Sequence, residues 1–428
     1  MIELAEHNQN LRIAYKSTRK SNSKNVVDYN TSLDEIDNTL RKVLSIEDMR
    51  KSGTFFTGDE LAQTLVGLFK RKINKNSRIL DPTCGAGNLL IACSRKLPAY
   101  KSLTKTLMIW GKVLHGYDLY PTFIDACKLR IILEAINNRG CQIDCNINKA
   151  LKLLPNIIVR DALETDREEL IQITHTILNP PFTLQKPTLK GLWKTGKVNA
   201  SAVILAHYLK ILPQGSDLSS ILPEVLRSGT RYHKWRAFCH STISGHTKVI
   251  GRFNSKTDVD VFILFGKTGG TSKTIDWGTS SLHHEDVIST NFEVSVGRLV
   301  AYRDPEIGVD RPFIHSKNVP LWSIIKEFPE RRLFSGTAID PPFVVIRRNS
   351  RPDDRYRAAA SIIRGNEPVA VENHLIIIKP HSKTLKDCKK LLKVLKSKST
   401  NEYLNKRIRC RHLTVEAVKQ IPYFPLKE

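Results

Sequence analysis

Residues 52–270 alternate short strand-like apolar runs with longer stretches of helical spacing. Arg78-Ile79-Leu80 reads as a strand that stops at Asp81, and Leu89–Leu97 then has helical spacing. Val113–Tyr120 reads as a second strand, followed by a helix over Pro121–Asn138. Asn156–Leu163 and His175–Phe182 read as further strands. Ala200–Leu212 reads as an amphipathic helix, and Ser219–Leu226 as a strand and turn. Thr247–Phe253 and Asp258–Lys267 close the region with β-rich text. Strands separated by helices predict a parallel sheet with crossover helices.

The pattern differs on either side of this region. Residues 1–50 are polar and mixed in charge, and Ser32 is placed to cap a helix over Leu33–Ser45. After about residue 290, Val294–Asp304, Pro341–Arg348 and Asn373–Pro380 are β-like and joined by polar loops. Thr384–His412 reads as helical and basic. The expected organisation is therefore a helical lead-in (1–50), an α/β catalytic domain (51–285) and a C-terminal α+β module (286–428).

Lys plus Arg number 67 against 42 Asp plus Glu, a formal charge of +25. An excess of that size attracts polyanions, of which a nucleic-acid backbone is the commonest. The basic loop carrying Arg347, Arg348, Arg351, Arg355 and Arg357 is the candidate for DNA contacts. No apolar run reaches membrane-spanning length, and the first residues have no apolar leader segment, so a cytoplasmic protein with no membrane partner is expected. The eight cysteines show no zinc-ligand spacing and read as reduced thiols, so no metal site is expected.

Candidate chemistry begins at the end of the first strand. Gly85 and Gly87 let the backbone turn sharply and approach a ligand closely. Leu90 stands where a dinucleotide fingerprint needs its third glycine, and the turn has no phosphate-loop lysine. Asp81 sits where open α/β sheets bind ligands, and Asp118 ends the second strand, where a carboxylate can accept from both ribose hydroxyls. Asp161 follows the third strand; it serves equally as a ligand to a cofactor base or as an N-cap.

The sharpest local signal is Asn179-Pro180-Pro181-Phe182. An exocyclic amino group on an aromatic base is a poor nucleophile, because its lone pair is delocalised into the ring. Acceptors for both of its hydrogens localise and orient that pair. The Asn179 amide oxygen and the Pro180 carbonyl have the right chemistry, and Phe182 can stack on the base. A base inside a duplex must flip out to reach such a pocket.

These segments resemble the S-adenosylmethionine-dependent N6-adenine DNA methyltransferases. Asp81–Gly87 is similar to that family's first motif, Asn179–Phe182 to its fourth, and Ser52–Thr57 to the segment that precedes both. The order looks like the gamma class, whose target recognition region is C-terminal. The resemblance implies a Rossmann-like methyltransferase sheet with a C-terminal α+β target recognition module. It implies S-adenosyl-L-methionine as cofactor and double-stranded DNA as partner. A separate restriction endonuclease or other defence subunits would be further partners. Thr54, Phe56, Asp81, Cys84, Gly85 and Gly87 would surround the methionine moiety. Asp118 would hold the ribose, and Asp161 with Ala162 would contact the cofactor adenine. RNA amino-methyltransferases (adenine N6 or guanine N2) use similar sequences, and a catalytically silent DNA-binding subunit is a non-enzymatic alternative.

Overall fold

The computed structural model describes residues 4–20, 33, 57–187, 191–193, 196–254, 257–269, 275–278 and 286–424. Thr54 and Phe56, and all of the expected helix over 33–45 except Leu33, lie outside the described residues. Two compact units emerge. The first comprises residues 1–227 and 231–275, the second 228–230 and 276–428.

The first unit is built on a sheet of seven strands among the described residues, ordered β3-β2-β1-β4-β7-β9-β8. They are β1 (Ile79–Asp81), β2 (Leu114–Asp118), β3 (Ile157–Val159), β4 (His175–Leu178), β7 (Asp217–Pro223), β8 (Ile243–Asn254) and β9 (Thr257–Thr268). The first five run parallel. β9 pairs antiparallel with both β7 and β8. A small hairpin of β5 (Leu184–Gln185) and β6 (Val198–Asn199) follows β4. The central strands β1, β4 and β7 are buried at every position, as expected of parallel strands covered on both faces.

The helix Pro121–Asn137 starts with proline at its first turn, where no intrahelical donor is needed. It is buried almost all round, from Phe123 to Ile136. Strands β2 and β3 cover one side, and the helix Ala5–Lys20 covers another. That N-terminal helix is held by Arg12 to Asp125 at 2.6 Å and by the Tyr15 hydroxyl to the Cys145 carbonyl at 2.8 Å. Its polar composition concealed it in the sequence, because its buried stripe is narrow and runs through Asn8, Leu11, Ala14 and Tyr15 among the described residues. The helices Leu103–Val113, Ile147–Lys152 and His233–Thr242 were not expected either.

The second unit has a five-stranded sheet, β10-β17-β14-β15-β12, and a three-stranded sheet, β13-β11-β16. These are β10 (Phe292–Val296), β11 (Val309–Ile314), β12 (Ile324–Ile325), β13 (Arg331–Phe334), β14 (Phe343–Arg347), β15 (Ala360–Ile363), β16 (Ala370–Val371) and β17 (Leu375–Pro380). Strand alternation divides the core. Val344, Ile346, Ile376 and Ile378 pack with Leu391, Leu395 and Leu404 of the C-terminal helices. Phe343, Val345, Leu375 and Ile377 pack with Ile314 and Val319 on the other side. The basic helical stretch divides into Leu385–Leu395 and Lys398–Arg407, because Ser397 caps the second helix. No helix among the described residues is long and apolar enough to cross a membrane.

Candidate active site

Strand order reverses at β1, which has β2 on one side and β4 on the other. In an open α/β sheet, ligands bind beyond the strand C-termini at such a point. A cavity of about 230 Å³ lies there, walled by Asp81, Gly85, Asp118, Asp161, Asn179 and Pro181. Cys84 and Ala162 also line it.

The turn after β1 supports the glycine reading. Gly85 and Gly87 have φ of 51° and 88°, in the region that favours glycine. Gly87 caps the helix Asn88–Ser94, and a Cβ there would stand 2.6 Å from the Cys127 sulfur. Asp118 braces the turn: one carboxylate oxygen accepts from the Gly85 N–H at 3.0 Å, and the other from the Tyr120 N–H at 2.9 Å. Asp161 accepts from the Leu163 N–H at 2.9 Å, so it is an N-cap while also lining the cavity. The Ala162 carbonyl is fixed by the Tyr208 hydroxyl at 3.0 Å.

The carboxylates have little solvent around them. Burial pushes Asp81 up to about 8, against one backbone hydrogen bond from Thr83 and with the Asp118 charge adding to the rise. Burial pushes Asp118 up to about 6, opposed by the backbone donors of Tyr120 and Gly85. Burial holds the Cys84 thiol well above its ordinary value, so it is an inert wall rather than a nucleophile.

Asn179 follows β4 and reaches the same cavity; its amide nitrogen donates to the Thr57 hydroxyl at 3.1 Å. Pro180 is buried. Phe182 stands edge-on to Phe253, with centroids 6.0 Å apart. The loop is held from behind. Asn199 donates from its amide to the Phe182 carbonyl at 3.1 Å and caps the helix Ala200–Ile211.

Thr57, Asn88 and Asn199 are contributors that sequence reasoning missed. Each had a signal. Thr57 closes the segment Ser52–Thr57, Asn88 directly follows Gly87, and Asn199 directly precedes an amphipathic helix, at its N-cap position. Arg160 also lines the cavity, held by Glu169.

The basic loop of the second unit does not act as one set. Arg351 and Arg355 are exposed, and the Arg355 guanidinium lies 5.3 Å from the centre of the Tyr356 ring. Arg347 and Arg348 are half-buried, and Arg347 donates to the Val319 carbonyl at 2.9 Å. Arg357 requires a correction. It is fully buried and donates to the carbonyls of Ser350 at 2.6 Å and Ile408 at 2.7 Å. It ties the loop to the C-terminal segment and presents no cation to DNA.

A Rossmann-like sheet, a carboxylate-walled pocket at its switch point and an Asn-Pro-Pro-Phe turn on the adjoining strand thus meet in one place. Residues 37–214 match the family model for N-6 DNA methylases. No curated protein matches the sequence significantly. Among solved structures, the chain is similar to the Type IIL restriction-modification enzyme MmeI in complex with DNA. That match has 13% identity, covers 88% of this chain and 69% of that one, and has a TM-score of 0.58. At that identity the likeness shows a shared fold. The type IIG restriction endonuclease BpuSI matches at 13% identity over 99% of this chain and 67% of that one, with a TM-score of 0.43. The M protein of the Type I restriction enzyme EcoKI matches at 15% identity over 61% and 55%, with a TM-score of 0.37.

Proposed function

We propose that this chain transfers the methyl group of S-adenosylmethionine to N6 of an adenine flipped out of duplex DNA, as the modifying activity of a restriction-modification or phage-defence system. One observation carries the reading: Asn179 shares a cavity wall with Asp81 and Asp118. Target-base chemistry and cofactor chemistry thus meet in one space.

The residues fit the cofactor. Asp81 is 1% exposed and, among the described residues, pairs with no cation. A ligand carrying sulfonium and ammonium charges would hold Asp81 in its ionised form against the effect of burial. Asp118 supplies two oxygens beside the glycine turn for ribose hydroxyls, and Asp161 with Ala162 borders the space for the adenine moiety. When bound, the cofactor supplies an electrophilic methyl with a neutral thioether as leaving group.

The chain's own residues then position the amine. Asn179 and the Pro180 carbonyl accept the two N6 hydrogens, which localises the nitrogen lone pair and aims it. Phe182, braced by Phe253, stacks on the extruded base. Arg351 and Arg355 hold phosphates through the second unit, and the charge of +25 adds salt-sensitive affinity.

Asn179→Ala tests the assignment. Labelled-methyl transfer to unmethylated genomic DNA is expected to fall at least ~100-fold, while calorimetric cofactor affinity stays within about threefold. Full transfer by the variant would rule out the role given to Asn179.

A further inference from the structure

Asn179 does not hold its amide alone. Its nitrogen donates to the Thr57 hydroxyl at 3.1 Å, and both residues line the cavity. Thr57 is 2% exposed, and its main chain is anchored in turn. The Asn88 amide nitrogen donates to the Thr57 carbonyl at 2.7 Å and to the Leu33 carbonyl at 2.7 Å. The Asn88 oxygen accepts from Arg130 at 2.6 Å, and the same Arg130 nitrogen donates to the Ala86 carbonyl at 2.6 Å. A continuous run of hydrogen bonds thus joins the glycine turn after β1, through Asn88 and Thr57, to the amide after β4.

We propose that Thr57 is a positioning residue for methyl transfer, anchoring the Asn179 amide so that its oxygen is held toward the target base. The proposal rests on the reading of Asn179 as an acceptor for the base amino group. A side-chain amide has two ends of similar shape and opposite hydrogen-bonding sense. With its nitrogen on Thr57, Asn179 carries its oxygen on the opposite side. The other orientation would set two N–H donors against an amino group that is itself a donor. Rotation of the amide by half a turn therefore replaces an acceptor with a repulsion at the reacting nitrogen. Thr57 acts through Asn179.

Thr57→Val keeps the shape of the side chain and removes the acceptor. We expect its single-turnover rate of transfer from tritium-labelled S-adenosylmethionine to unmethylated genomic DNA to fall about 30- to 100-fold. Cofactor affinity by calorimetry should stay within about threefold. Thr57→Ser, which restores the hydroxyl, should return the rate to within about threefold of wild type. A double variant adds a second arm. Asn179→Ser retains an oxygen but has no amide nitrogen to orient, so adding Thr57→Ala to it should cost less than about threefold.

A Thr57→Val enzyme at the wild-type rate would overturn the proposal. So would a rate loss matched by an equal loss of cofactor affinity, a failure of serine to rescue, or a full repeated loss in the Asn179→Ser background. Where Thr57→Val does not fold, the serine variant and the double variant decide. Full activity of Asn179→Ala, by contrast, removes the underlying reading and leaves Thr57 with nothing to position.

Discussion

Asp81→Asn should make the protein's stability less sensitive to pH. Asp81 is buried at the end of β1, and its carboxyl is pushed up from 3.8 to about 8 by loss of water, with the Asp118 charge adding to the rise. The unfolded chain ionises this group near its ordinary value. Below about pH 4 both states are protonated and the group costs nothing. Between about pH 4 and 8 the unfolded state releases a proton that the folded state retains, so stability falls as pH rises. Above about 8 the folded state carries a buried carboxylate and the cost is complete. One pH unit in this window corresponds to at most ~1.4 kcal/mol. From pH 5.5 to 8 the change is therefore at most about 3 kcal/mol. Asparagine mimics the protonated acid and keeps an oxygen for the Thr83 N–H, which donates to Asp81 at 3.1 Å. Denaturant melts of both proteins, without cofactor, at half-unit steps from pH 5 to 8.5 measure the difference. The wild type should lose stability relative to the variant across that range. Parallel pH profiles would refute the reasoning, because the burial assigned to Asp81 would then carry no cost. Asp118, raised to about 6, adds a smaller decline that is largely finished by pH 7 in both proteins.

Three further outcomes follow from the structure. Asp118→Ala removes the acceptor for the Gly85 and Tyr120 N–H groups as well as the proposed ribose contact; cofactor affinity is expected to fall by about 2–3 kcal/mol, and unchanged calorimetric affinity would contradict it. In the second unit, Arg357→Met should destabilise the fold by about 3 kcal/mol, because two buried carbonyls lose a charged donor. The exposed pair behaves differently. Arg351→Ala with Arg355→Ala should leave melting unchanged and lower the slope of log affinity for DNA against log salt by up to about 2. Equal slopes for variant and wild type would remove both residues from the DNA contact.

The sequence by itself determined the chemistry and the order of the elements that carry it. Gly85 and Gly87 are legible because only glycine takes those φ values cheaply, and Asn179–Phe182 because two prolines between an amide and an aromatic have few structural uses. The parallel strands were legible as apolar runs, since they are buried on both faces. Segments whose burial depends on a neighbour were not. The helix Ala5–Lys20 looks polar until the helix Pro121–Asn137 lies against its stripe. Tertiary structure alone decided what each charge does. Asp81 and Asp118 both end strands in the sequence, yet burial separates them to about 8 and about 6. Arg355 and Arg357 are two residues apart in one basic loop, but one faces water and the other is spent on carbonyls brought in from residues 350 and 408. Thr57 and Asn179 are separated by more than a hundred positions, so their hydrogen bond exists only because the fold brings the segment before the helix Asp59–Gly67 beside the turn after β4. Local sequence specifies which groups are present and how the nearby backbone bends. Solvation and long-range pairing set their charge and partners, and those are properties of the folded whole.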